Sequence, residues 1–123
     1  MIVEDDDDLR MCFREMLERH GHHVEDARSG IVGLARILAE KPEVAVIDIS
    51  MPEMGGYEVA RRVRATLGRS MLLVAVTGYG LEEHRLQALA AGFDAHLGKP
   101  LDLAQLHAII DAHFAPDPVA VAS

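Results

Sequence analysis

The chain has no tryptophan, one cysteine, two tyrosines and three phenylalanines among its 123 residues. A lone Cys12 excludes an intramolecular disulfide framework, so the fold has to hold without covalent staples. Scarce aromatics leave Val, Leu, Ile, Ala and Met to build the core, and at this length one domain can close it. Cys12 falls among the apolar residues of a helical pattern and reads as a buried, inert thiol. Positive charge is scarce too: 12 Lys and Arg stand against 20 Asp and Glu, a formal net charge of −8. That balance argues against direct binding to a nucleic-acid backbone. No apolar run reaches the length of a membrane span and no signal peptide is visible. The expectation is a soluble cytoplasmic domain without membrane contact of its own.

The most informative stretch that is present runs from Val44 to Gly56. Its first part is short and rich in Val and Ile, which suits a strand buried on both faces. It ends in Asp48, and a Met51-Pro52 turn and the pair Gly55-Gly56 follow. An Asp at the end of a buried strand needs a partner.

Around it the chain alternates strand and helix. Met1-Ile2-Val3 is a short apolar start running into five acids, Glu4 to Asp8. A helix follows, with Leu9, Phe13, Met16 and Leu17 on one face, Asp7 or Asp8 as N-cap and Gly21 as its stop. His22 to Ala27 suits a polar edge strand. Ser29-Gly30 opens a helix with Ile31, Leu34, Ala35 and Leu38 inward, ending before Lys41-Pro42. Gly55 to Leu67 is helical, with Arg61, Arg62 and Arg64 on a solvated face. Met71 to Val76 is a further buried strand, and Leu81 to Ala91 a helix with Leu86, Leu89 and Ala90 inward. Asp94 to Gly98 is a fifth strand. The last helix has Asp102 as N-cap and Leu103, Leu106, Ile109, Ile110 and Phe114 inward. Residues 116–123 lack periodicity and read as a disordered tail or linker start, leaving 1–115 as the domain.

Five strand–helix alternations predict an α/β fold with a parallel sheet covered on both faces. All carboxyl ends then share one edge, where ligands bind. That edge gathers Glu4, Asp5, Asp48, Thr77 and Lys99. Acids about 5 Å apart repel by roughly 3 kcal/mol per pair at an effective dielectric of about 20. The cluster therefore calls for a cation, and oxygen ligands favour Mg²⁺ over zinc. A cation beside a lysine and a hydroxyl suits a phosphoryl group, with Asp48 as nucleophile forming an aspartyl phosphate. No water-activating His or Glu is evident from the sequence, so that product is expected to persist.

These motifs (Val3-Glu4-Asp5, Asp48 to Gly56, Val76-Thr77-Gly78 and Lys99-Pro100) together resemble the receiver domain of bacterial two-component response regulators, from Met1 to about Phe114. The resemblance implies a (βα)5 doubly wound, flavodoxin-like sheet of order 2-1-3-4-5. It further implies that Asp48 takes its phosphoryl group from a phosphohistidine of a histidine kinase or histidine phosphotransfer domain. Asp5, Asp48 and the Ser50 main-chain carbonyl would hold Mg²⁺, with Glu4 acting through water. Lys99 would pair with the phosphoryl group, Thr77 would move to bond it, and Gly78 would leave room for it. Thr77, His96 and Pro100 would carry the switch, with His96 standing where the family usually has Tyr or Phe. The Lys99-Pro100 bond would be cis. Ser50 and Tyr79 would flank the site and influence phosphate lifetime. Output would use the face of the fourth helix, fifth strand and fifth helix.

The domain is thus expected to be a phosphorylation switch and not a turnover enzyme. The segments Gly55 to Glu58 and Gly92 to Pro100 favour the receiver of a hybrid histidine kinase, the cytoplasmic part of a larger sensor, over a stand-alone regulator. The first strand is short at its amino end, so residues before Met1 are expected. A Mg²⁺-dependent aspartyl-phosphate phosphatase is the remote rival, but it wants an acid two residues past the nucleophile, where Ser50 stands. A nucleotide- or flavin-binding domain wants a glycine-rich loop after the first strand, where acids stand. His20, His22 and His23 lack a Cys partner or a His-x-x-x-His pair and read as solvated.

Overall fold

The computed structural model describes residues 1–78 and 81–114. In chain order the elements are β1 (Ile2–Val3), α1 (Asp7–Arg19), β2 (Asp26–Ala27), α2 (Gly30–Glu40), β3 (Val44–Asp48), α3 (Gly56–Leu67), β4 (Leu72–Thr77), α4 (Leu81–Ala91), β5 (Ala95–Gly98) and α5 (Leu103–Phe114). The strands form one sheet of order β2-β1-β3-β4-β5, parallel throughout. The expected α/β doubly wound fold is therefore the one observed.

Each face of the sheet carries its own core. Ala45, Ile47, Leu73 and Ala75 pack with Leu34 and Ile37 of α2, Val59 and Val63 of α3, and Ala88 and Ala91 of α4. The alternate residues Val46, Leu72, Val74 and Val76 pack with Phe13 and Leu17 of α1 and Leu106 of α5. Burial on both faces is why β3 and β4 read as unbroken apolar runs and not as alternating ones. Register fixes the ends: Val3 lies opposite Ile47, Asp48 opposite Val76, and Thr77 opposite Gly98.

Several helix faces differ from expectation. Asp6, not Asp7 or Asp8, caps α1: its Oδ1 accepts from the Leu9 amide at 3.1 Å. Cys12 is exposed, because Phe13 and Leu17 take the inward stripe and Cys12 lies about 100° off Phe13 around the helix. In α2 the stripe is Gly30, Gly33, Leu34 and Ile37, leaving Ile31 outside and Ala35 exposed. A Cβ on Gly33 would lie 2.7 Å from Val3 Cγ1, so glycine lets α2 sit directly on β1. In α4, Ala88 and Ala91 face the core, whereas Leu86 is 74% exposed and Leu89 is also exposed. Phe114 is exposed at the end of α5; Leu106 is the wholly buried residue there, under an Asp102 cap that bonds the Ala104 and Gln105 amides.

Arg61 and Arg62 are solvated as expected, but Arg64 is not. Its guanidinium donates to the carbonyls of Gly92 (2.7 Å), Met71 (2.8 Å) and Gly68 (3.2 Å) and to Asp94 Oδ2 (2.7 Å). Asp94 Oδ2 also accepts from the Leu73 amide at 2.9 Å. Arg64 thus ties the end of α3, the start of β4 and the loop before β5 into one clamp. Tyr79 and the 116–123 segment lie outside the described residues.

Candidate functional site

The topology brings β1 and β3 side by side, so their carboxyl ends deliver Glu4, Asp5 and Asp48 to one spot. Ligand oxygens of these three carboxylates lie within 4.8 Å of one another. Glu4 and Asp48 are buried, at 2% and 4% exposure, and Asp5 is exposed. β4 ends on Thr77, also buried, and the Lys99 amide donates to the Thr77 carbonyl at 2.8 Å. That bond sets Lys99 immediately after β5 and aims it back over the sheet edge. The Lys99-Pro100 peptide is cis, as expected.

Lys99 Nζ reaches both buried acids. It donates to Asp48 Oδ2 at 3.0 Å and lies 3.1 Å from Glu4 Oε1. The second contact is an ion pair without hydrogen-bond geometry, so Glu4 Oε1 has no hydrogen-bond donor among the described residues. Asp48 Oδ1 accepts from the Ser50 amide at 2.9 Å, which fixes the carboxylate in the turn after β3. Gly56 seats that turn: a Cβ there would come 2.7 Å from the Asp48 carbonyl oxygen. Beside Thr77, a Cβ on Gly78 would meet nothing within 4 Å, so the space there is open.

The electrostatics are unfinished. Burial and the neighbouring Asp48 carboxylate push Glu4 up to about 7, well above an ordinary glutamate, although Lys99 pulls the other way. Burial opposes the charge on Lys99, but the neighbouring Asp48 and Glu4 carboxylates outweigh that and raise it above an ordinary lysine. Two buried carboxylates therefore share one ammonium with a third, Asp5, beside them, and Glu4 Oε1 has no hydrogen-bond donor among the described residues. A hard divalent cation with oxygen ligands fits this donor set.

Of the residues expected at the site, Glu4, Asp5, Asp48, Thr77 and Lys99 come together at the β1, β3, β4 and β5 ends. Ser50 is present through its amide bond to Asp48. His96 sits on β5 opposite Ala75, one strand removed from β3, with its Nε2 shielded from solvent and lacking a hydrogen-bond partner among the described residues. The structure adds Arg10, whose Nη1 donates to the Glu4 carbonyl at 3.0 Å while its other nitrogens pair with Asp7 and Asp26. Arg10 holds the chain immediately after β1. Its spacing of three and four residues from Asp7 and Asp6 was the sequence signal for it.

Comparison with known proteins agrees with this geometry. The family model described as response regulator receiver domain matches residues 1–111. An uncharacterized 14.6 kDa protein of Leptolyngbya boryana is 37% identical over 121 residues, covering 95% of this chain and 92% of that protein. The response regulator MprA of Mycobacterium avium is 34% identical over 106 residues, covering 86% of this chain; the matched region spans about half of MprA, 46%. A CheY-like response regulator receiver domain protein from Methanospirillum hungatei superposes with a TM-score of 0.82 at 34% identity, over 91% of this chain and 89% of that one. With its fold, its strand-end acids and its matched residues in accord, the chain belongs to the response regulator receiver domain family.

Proposed function

We propose that the chain accepts a phosphoryl group on Asp48 in a histidine-to-aspartate phosphorelay and acts as a switch, not as a turnover enzyme. The observation that carries this reading is the convergence of buried Glu4 and Asp48 on the single Lys99 ammonium, with Asp5 at the rim. In the transfer, the bond from phosphorus to the donor imidazole nitrogen breaks and one to an Asp48 carboxylate oxygen forms; the imidazole departs and takes its proton from solvent. The Ser50 amide and Lys99 hold the carboxylate still before attack, which removes much of the orientational cost. Lys99, kept protonated by its acid neighbours, is placed to pair with a phosphoryl oxygen as charge builds there.

Asp5, Asp48 and the Ser50 main-chain carbonyl would hold Mg²⁺, with Glu4 acting through water. When bound, Mg²⁺ neutralises phosphoryl oxygens that the crowded acids would otherwise repel. Thr77 bonds the phosphoryl group, and the rearrangement passes along β4 and β5 to His96 and Pro100. Its readers are a histidine kinase or phosphotransfer domain on the input side and a downstream protein at the α4-β5-α5 face. No helix among the described residues is long and apolar enough to cross a membrane, and the proposed site of action is the cytoplasm. The receiver comprises the elements from β1 to α5. The Gly92 to Pro100 motif supports a receiver carried by a hybrid kinase, with a stand-alone regulator as the alternative.

Beryllofluoride, which imitates a phosphoryl group on a carboxylate, tests the pocket. Fluorine NMR in Mg²⁺ should show a bound signal that Asp48→Asn lacks and Lys99→Ala weakens. A bound signal surviving in Asp48→Asn would refute the assignment.

A further inference from the structure

At the opposite edge of the sheet, three histidines from two distant segments meet. His20 is the C-cap of α1, His22 follows two residues later, and His107 comes from α5. The His22 and His107 Nε2 atoms are 2.9 Å apart across a sequence separation of 85 residues. The His20 ring stands edge-on to His107, with centroids 5.6 Å apart. His20 Nδ1 lies 3.0 Å from the Met16 carbonyl oxygen. A carbonyl only accepts, so Nδ1 carries the proton and the His20 Nε2 lone pair is free. The nearby Arg19 is held by Glu15 at 2.7 Å, and His23 faces Glu25 at 3.3 Å.

We propose that His22 and His107 form a site for a divalent transition-metal ion, of the Ni²⁺ or Cu²⁺ class. Imidazole nitrogens lie about 2.0–2.1 Å from such ions, so two nitrogens 2.9 Å apart subtend about 90° at the metal. A right angle suits tetragonal Ni²⁺ and Cu²⁺ better than tetrahedral zinc. Without metal, one Nε2 donates its proton to the other. On binding, that proton leaves to solvent and another is taken up at Nδ1, so both Nε2 lone pairs face the ion. His20 and His22 are exposed and His107 is half-buried, so the ion enters from solvent without opening the core. Bound there, it bridges the end of α1 to α5, a helix with one wholly buried residue, Leu106.

The test is calorimetric titration of the full chain with Ni²⁺ in excess Mg²⁺, which keeps the acidic pocket occupied. One Ni²⁺ per chain is expected, with binding weakened at least about tenfold in His22→Gln and in His107→Gln and unchanged in His23→Gln. Selective paramagnetic broadening of the His22 and His107 ring signals in NMR should accompany it. Both variants change solvent-accessible residues, and circular dichroism checks that they fold. No binding, binding that survives both substitutions, or binding lost in Asp48→Asn would each overturn the proposal, the last by assigning the ion to the acidic pocket.

Discussion

Two charge clusters among the described residues, the Arg64–Asp94 clamp and the strand-end acids with Lys99, are built on opposite plans. In the Arg64–Asp94 clamp the guanidinium meets three carbonyls and a carboxylate, and Asp94 also takes the Leu73 amide. Arg69 also lies 3.7 Å from Asp94 Oδ1, and each Arg64 nitrogen has an acceptor. At the strand ends, Glu4 and Asp48 share Lys99 with Asp5 nearby, and Glu4 Oε1 lacks a donor among the described residues. A structural cluster completes its own hydrogen bonds, whereas a binding site leaves room for its ligand to complete them. The difference separates a brace from a receptor without reference to any relative.

Breaking each cluster should give opposite results. Arg64→Ala takes from Asp94 its 2.7 Å ion pair and from three carbonyls a donor, and urea unfolding should show a loss of about 3 kcal/mol, with the folded fraction still accepting a phosphoryl group. Glu4→Gln instead removes one of the crowded charges. It should raise the stability of the metal-free protein by about 1–2 kcal/mol while weakening Mg²⁺ binding about tenfold in a fluorescence or calorimetric titration.

The pH dependence sharpens the contrast. Glu4 holds its proton to about pH 7 in the fold but only to about 4.5 when unfolded. Between those values the folded protein binds more protons, so this group's stabilisation is present below about pH 4.5 and is lost as pH rises through 7. Mg²⁺ competes with that proton. Its affinity should therefore climb from pH 6 towards 8, and urea unfolding at pH 8 should show a larger Mg²⁺ stabilisation than at pH 6.

The mildest test uses two glycines. A Cβ on Gly92 (φ +112°) would sit 2.6 Å from Arg64 Cγ, so Gly92→Ala should cost more than about 1 kcal/mol. Gly78 borders the open space beside Thr77, and Gly78→Ala should shift stability by less than about 0.5 kcal/mol. Equal costs in thermal unfolding would erase the distinction between clamp and site.

The sequence spoke clearly where topology turns separation into proximity. Once five strands lie parallel, Glu4, Asp48, Thr77 and Lys99 have to share an edge, however far apart they stand in the chain. It misled where a choice of helix face depends on how closely two elements approach. Ala88 and Ala91 won the inward face of α4 over Leu86 and Leu89 because small residues let the helix settle beside Phe93. Arg64 looks like Arg61 and Arg62 in a run of basic residues; only the loop carbonyls from residues 68–92 make it different. His22 and His107 carry no spacing signal at all, since their meeting is set by how α5 lies near the end of α1.

Phosphorylation of Asp48, as proposed, would complete the unfinished cluster. It is tested most directly by incubating the protein with Mg²⁺ and acetyl phosphate and measuring its intact mass. A single phosphoryl adduct is expected, one that hydroxylamine removes, that chelation of Mg²⁺ prevents and that Asp48→Asn lacks. A folded, Mg²⁺-bound protein that gains no adduct, or an adduct that persists in Asp48→Asn, would contradict it.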